Sequence, residues 1–404
     1  MGLAAIPFLG GAVGVFGYEL AATWERLPLS FAGDEESPDQ CFALIDRLYV
    51  ADHVEDQFLA LGLGFAAERS EAEAAAERAA AEMIATGFPP ALPTDLTTGC
   101  DDAPECIAEA KLPDLEPSLP EDRYRAAVQE ILEAIARGAV YQVCLTQRLT
   151  LPYAGDPFSL YRRMRGQDPT PFSAYLELPG WTVLSSSPER FLRVDGGGVA
   201  ESRPIKGTSP RAADPAEDLR ARQHLLDSEK ERAENLMIVD LVRNDLGRVC
   251  EPGSVGVPEL WSVEAYESVF QLVSTIRGRL RAGCDALEAV RATLPPGSMT
   301  GAPKIAAVAL AERLEPTRRG FYAGALGYLD VRGGLDLAVV IRTAIHRPGE
   351  LMLHAGGAVV ADSTAAGEWR EMWLKLLSIR RAAADPGTGR RAPTPRSMSD
   401  RGAL

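Results

Sequence analysis

Apolar positions in this chain recur with two periods, and their alternation sets the element list. Residues 68–84 are crowded with alanine and glutamate and lack glycine and proline, which predicts a helix. Ser118 followed by Glu121 predicts a capping box opening a helix that runs to residue 137. Residues 141–151 read as a strand, and shorter β-rich runs follow at 172–178, 182–185, 191–194 and 199–203. Helices are expected over 216–226 and 229–244, a long strand over 269–280 and a helix over 286–293. After a loop at 297–302, residues 303–314 form a helix with proline in its first turn. A strand meander over 321–331, 335–346 and 351–361 turns at Arg332-Gly333-Gly334 and Pro348-Gly349, and a last helix spans 364–384. Strands and helices mix without strict β-α-β alternation, so the fold class is α+β. No internal repeat is visible.

The stretch 87–120 is rich in proline and acid and is long for a connection inside a compact domain. We divide the chain into a shortened N-terminal subdomain with linker (1–117), a catalytic domain (118–384) and a tail (385–404) whose composition predicts disorder. Residues 1–16 are apolar and glycine-rich, lack a basic start and are interrupted by Pro7, which reads as a core segment and not as a signal peptide. No run is long and apolar enough to span a membrane.

Of the 404 residues 46% are hydrophobic, enough for a large core, and the formal net charge is -15. That charge disfavours a nucleic-acid backbone or an anionic membrane as partner. Six cysteines without a Cys-x-x-Cys pair and four histidines without metal-ligand spacing make a zinc site a poor reading. Nothing demands a disulfide between Cys100 and Cys106, and a reducing cytoplasm is the expected home.

Chemistry enters at Lys206, placed between Pro204, which fixes φ, and Gly207, which permits close backbone approach. A lysine in water is a solvated cation; in a partly desolvated site it becomes a nucleophile. Glu231 and Glu234 lie three apart on one helix, and Glu368 and Glu371 repeat that spacing on the last, so each pair shares a face. Two facing pairs suit a hard cation such as Mg2+. Glu231 equally reads as the capping partner of Ser228, and Glu368 and Glu371 as solvated acids. Glu189 sits on a turn between strands, either a buried acid/base, a partner of Arg190 or a solvated carboxylate. The run from Gly297 to Lys304 lacks phosphate-loop spacing, because Pro303 separates Ala302 from Lys304. Its backbone amides still suit a carboxylate. Gly356 and Gly357 allow close approach to backbone N–H groups or mark a bend, and Arg342 on an apolar strand calls for a carboxylate, from a ligand or from the chain.

Six stretches carry a resemblance: residues 186–191, 203–208, 232–246, 297–304, 341–343 and 355–363. Together they resemble the chorismate-utilising enzymes, which include anthranilate, aminodeoxychorismate, isochorismate and salicylate synthases. The chain is most similar to aminodeoxychorismate synthase component I. Those members commonly have Pro-Ile-Lys-Gly-Thr, as at residues 204–208, where anthranilate synthases have alanine for Lys206. Isochorismate and salicylate synthases place a water-activating lysine where this chain has Gln142.

The resemblance implies two β-sheets packed as a sandwich with helices outside. It implies Mg2+ held through Glu234 and Glu371, with Glu231 and Glu368 supporting, and chorismate oriented by Arg342, Tyr328, Lys375 and the backbone around Thr300, Gly301, Gly356 and Gly357. Lys206 would attack C2 while Glu189 protonates the departing C4 hydroxyl. Ammonia from a glutamine amidotransferase partner would then add at C4, giving 4-amino-4-deoxychorismate for 4-aminobenzoate and folate. The chain departs from many relatives in lacking a histidine within residues 270–275. Its opening also resembles a stretch that relatives reach only after several dozen residues, and it keeps only the Pro171-Phe172-Ser173 half of the tryptophan pocket of some members.

Overall fold

The computed structural model describes residues 6–29, 37–87 and 112–384. In chain order the strands are β1 Gly11–Phe16, β2 Gln40–Ile45, β3 Arg47–Asp52, β4 Gln57–Gly62, β5 Glu116–Pro117, β6 Gln142–Tyr153, β7 Phe172–Leu178, β8 Trp181–Ser187 and β9 Arg190–Val194. They continue as β10 Val199–Arg203, β11 Ile205–Pro210, β12 Gly256–Ala265, β13 Val269–Arg279, β14 Gly301–Ala302, β15 Ala325–Asp330, β16 Leu335–Val339, β17 Thr343–Arg347 and β18 Gly349–Val359. The helices are α1 Arg69–Thr86, α2 Glu121–Ala136, α3 Pro157–Gln167, α4 Pro215–Asp227, α5 Glu229–Gly247, α6 Ala286–Thr293, α7 Lys304–Leu314, α8 Ala365–Lys375 and α9 Leu377–Ala384.

One sheet has nine strands in the order β11-β13-β10-β9-β16-β15-β1-β2, with β12 also on β13. The other has seven, β14-β6-β18-β17-β8-β7, with β5 on β6, and β3 with β4 makes a separate ribbon. Val15 and Leu326 of the larger sheet meet Val183, Ile345 and Met352 of the smaller in one apolar cluster, so the sheets form a sandwich. Helices cover the outside. On α2 the buried residues Tyr124, Ala127, Val128, Ile131 and Ala134 recur every three or four positions and pack with Val143 and Leu145 of β6 and with α7. Helix α5 sets Ile238, Val239 and Val242 against Leu192, Ala200 and Ile276 of the nine-stranded sheet. The α+β sandwich with outer helices is therefore the architecture expected, and residues 11–16 form an internal strand between β2 and β15.

Several local expectations are corrected. The run 335–346 is not one strand. It breaks at Arg342, whose φ is 50°, and crosses from β16 in the large sheet to β17 in the small one. Ser118 does not cap α2: its hydroxyl accepts from the Arg148 N–H (3.2 Å) on β6, and Pro120 stands at the helix start. The last helix is two, because Leu376 breaks the run between α8 and α9. The predicted linker falls largely, and the tail wholly, outside the described residues, as do Cys100 and Cys106.

Candidate active site

Pro204 separates β10 from β11, which both pair with β13, and the β11 register slips between Ile205 and Thr208, so Lys206 sits at an irregularity of the strand that contacts helix α5. Gly207 has φ 90°, and a Cβ there would stand 3.0 Å from Glu231 Oε2, so glycine brings the Lys206 backbone close to the carboxylate helix. Lys206 is half-buried and its amine makes no hydrogen bond or ion pair with a described residue. Its charge nevertheless acts on Glu189, Glu234 and Glu371 and on the buried Cys144 thiol.

Glu189 sits on the turn between β8 and β9 and is 5% exposed. Burial pushes its carboxyl up to about 7, against the pull of the Ser298 side chain, Lys206 and the Ile205 backbone. It does not pair with Arg190, which is committed to Asp336 (two bonds of 3.0 Å) and Glu201 (2.9 Å). The turn is held from below: Val339 N–H donates to Glu189 O (3.0 Å), and Ser187 Oγ donates to Val339 O (2.6 Å). A buried carboxyl pushed up to about 7 that feels the charge of an amine suits proton transfer.

Ser228 caps α5 through the Glu231 N–H (3.3 Å), which starts the helix so that Glu231 and Glu234 face β11. Thr364 caps α8 in the same way and places Glu368 and Glu371 against β18. The two pairs sense one another. Burial raises the Glu234 carboxyl, opposed by Lys206 and reinforced by Glu231 and Glu371. Burial also raises Glu368, with Glu371 adding to it. Burial acts on Glu371 too, but Lys375, Lys206 and Lys230 outweigh it and hold that carboxyl below its ordinary value. Lys375 Nζ lies 2.8 Å from Glu371 Oε1 and 2.8 Å from Gly356 O. Among the described residues no three acidic, histidine or cysteine side chains converge closely enough to hold a cation unaided. The donors are nevertheless all hard oxygens. Glu368 Oε2 is buried without a partner, and the missing Cβ of Gly357 leaves it room, since that atom would stand 2.2 Å away. Mg2+ takes few protein carboxylates and fills the rest of its shell from water and substrate, so this set fits it.

The glycine loop is built to one shape. Gly301 pairs with Val143, has φ 127°, and would drive a Cβ to 2.2 Å from Gln142 O. Thr300 O accepts from Cys144 N–H (2.9 Å), which ties this loop to β6. Lys304 secures its far side: its amine donates to Asp245 (2.7 Å), Thr293 O (3.1 Å) and Pro295 O (3.0 Å), a structural clamp and not a phosphate contact. Gly356 and Gly357 on β18 lie opposite Thr146 and Leu145 of the neighbouring strand β6. Gln142 at the start of β6 is fully buried and neither side-chain polar atom finds a partner.

Arg342 has no carboxylate within ion-pair distance among the described residues; Asp168 and Tyr322 feel its charge. Its left-handed φ is strained for a side chain this large, a feature that clusters at functional sites. Tyr328 is not brought to this group. It packs on Phe8 (ring centroids 4.9 Å) among Asp336, Arg193, Asp330 and Arg190 on the large sheet. The tyrosine beside Arg342 is Tyr322, buried and stacked on His354 at 4.9 Å.

A half-buried lysine, a buried acid and two carboxylate pairs are thus carried on one antiparallel sandwich. The chain belongs to the chorismate binding enzymes, whose family model matches residues 3–381. It is 45% identical over 390 residues to an aminodeoxychorismate synthase of Streptomyces pristinaespiralis, covering 93% of this chain and 51% of that protein. It is 40% identical over 374 residues to aminodeoxychorismate synthase component 1 of Klebsiella aerogenes, covering 93% of this chain and 77% of that one. The chain thus spans about half the length of the first relative and about three quarters of the second. Among solved structures, anthranilate synthase component I of Streptococcus pneumoniae superposes with a TM-score of 0.79 at 31% identity, covering 94% of this chain and 82% of the other.

Proposed function

We propose that this chain is the chorismate-aminating component of an aminodeoxychorismate synthase. It would convert chorismate and ammonia to 4-amino-4-deoxychorismate. The observation that carries the reading is Lys206, an amine with no ion-pair partner among the described residues, whose charge reaches the buried acid Glu189 and one carboxylate of each pair. The names of the relatives from Streptomyces pristinaespiralis and Klebsiella aerogenes support it.

The reactive arrangement has the proton on Glu189 and the lone pair on Lys206. Nζ bonds to C2, the ring double bonds shift, and the C4–O bond breaks as Glu189 delivers its proton to the departing hydroxyl. Ammonia then bonds at C4, the double bonds shift back and the lysine leaves. The enolpyruvyl group stays on the product. Glu234 and Glu371, supported by Glu231 and Glu368, would hold Mg2+, which when bound neutralises the ring carboxylate and fixes the ring. Arg342 and Tyr322 would take the second carboxylate, and the backbone at Thr300, Gly301, Gly356 and Gly357 together with Lys375 would complete the seat. Gln142 offers no base to activate water in place of ammonia. The ammonia would come from a glutamine amidotransferase, as the name "component 1" of one relative suits, and the product would serve 4-aminobenzoate and folate synthesis in the cytoplasm.

The test is an incubation with chorismate, Mg2+ and ammonium, followed by an aminodeoxychorismate lyase. Formation of 4-aminobenzoate is expected. Fluorescent anthranilate without the lyase would establish the rival, anthranilate synthase, and binding without turnover would establish a silent chorismate-binding subunit. A second expectation concerns Gly357→Ala. Its φ does not require glycine, but the new Cβ would displace Glu368 Oε2. Mg2+ dependence should weaken at least about tenfold, while the melting temperature moves by less than about 4 °C.

A further inference from the structure

A carboxylate used as a metal ligand turns easily about its last torsion, which is broad and two-fold, unless something holds one oxygen. Glu368 is held at one oxygen only. Ser363 Oγ donates to Oε1 at 2.7 Å, while Oε2 is buried without a partner. The direction of the serine proton is set by its surroundings. Val360 N–H donates to Ser363 Oγ at 3.0 Å, so a lone pair of that oxygen is engaged and its own proton points at the glutamate. The turn that carries Ser363 is closed a second time by Ser363 N–H donating to Val360 O at 2.9 Å. The hydroxyl therefore stands on a rigid corner between β18 and α8, next to the helix cap at Thr364.

What remains free on Glu368 is aimed. Oε2 lies 2.2 Å from where a Cβ of Gly357 would stand, and Glu371 Oε1 lies 3.8 Å from the same point. The unpartnered Oε2 of Glu368 and the Oε1 of Glu371, which Lys375 Nζ holds at 2.8 Å, therefore line one spot above the Gly357 backbone.

We propose that Ser363 is a positioning residue. It selects which oxygen of Glu368 faces the cation, by holding Oε1 and leaving Oε2 beside Glu371. This rests on the reading that the glutamate pairs hold Mg2+, and it adds a residue outside the ligand set. Ser363 touches neither substrate nor metal; it acts through Glu368.

The experiment is a Mn2+ titration of the full chain followed by electron paramagnetic resonance, with Mg2+ as competitor, on wild type, Ser363→Ala and Ser363→Thr. The melting temperature of each is measured alongside. Ser363→Ala should bind the cation at least about tenfold more weakly. Ser363→Thr keeps the hydroxyl and should restore affinity to within about threefold of wild type. A Ser363→Ala variant that melts earlier yet binds Mn2+ as wild type does would show a structural role alone and overturn the proposal. Equal weakening in Ser363→Thr would overturn it too, since the hydroxyl would not be the cause. A wild type that binds no Mn2+ and shows no Mg2+ competition would remove the metal reading and this proposal together.

Discussion

Lys206→Ala is expected to lower kcat for chorismate amination by at least about 10³-fold, with KM for chorismate little changed. The amine forms a bond to carbon in the first step, so its loss removes a reaction path and not a binding contact. Lys206→Arg separates the two roles. Arginine keeps a cation beside Glu189, Glu234 and Glu371 but gives up no proton near neutrality. It should be as inactive as alanine. An arginine variant with near wild-type turnover would show that only the charge at this position matters.

Glu189→Gln is expected to cost about 10²- to 10⁴-fold in kcat, since glutamine keeps the shape of the turn but cannot protonate the leaving hydroxyl. The pH profile gives a sharper result. With the Glu189 carboxyl at about 7, the proton it delivers to the leaving hydroxyl is present below that pH and lost above it. For wild type kcat/KM should therefore fall about tenfold per pH unit above about 7. Glu189→Gln should lack this limb. A wild-type profile flat from pH 5 to 8 would contradict the role of Glu189 as the acid.

Most of the site's residue types can be read from the chain, because each has a local cause. Pro204 and Gly207 bracket Lys206, Pro188 turns the chain at Glu189, and a three-residue spacing on a helix puts two acids on one face. What the sequence conceals depends on breaks in period. Tyr322 and Tyr328 both lie in the run 321–331, which reads as one strand. In the structure β15 begins only at Ala325, and Ala323 has φ 61°, so Tyr322 precedes the strand and feels the Arg342 charge while Tyr328 stays with the large sheet. The strand at Gly256–Ala265 is invisible to alternation. Its pairing with β13 slips twice, and Trp261 has φ 58°, so no period of two survives along it. The break at Arg342 has the same character: an apolar run continues in sequence while the chain changes sheet. The Lys304–Asp245 clamp joins residues 59 apart, and only folding brings them together.

Amination by the proposed route requires a covalent bond between Lys206 and chorismate. Intact-mass measurement of the full chain mixed with chorismate and Mg2+ in the absence of ammonia, followed by peptide mapping, detects that bond. We expect a species heavier than the protein by chorismate less one water, located on the peptide that contains Lys206 and missing in Lys206→Ala. Product formation by Lys206→Ala at the wild-type rate, or an adduct on another residue, would contradict the account.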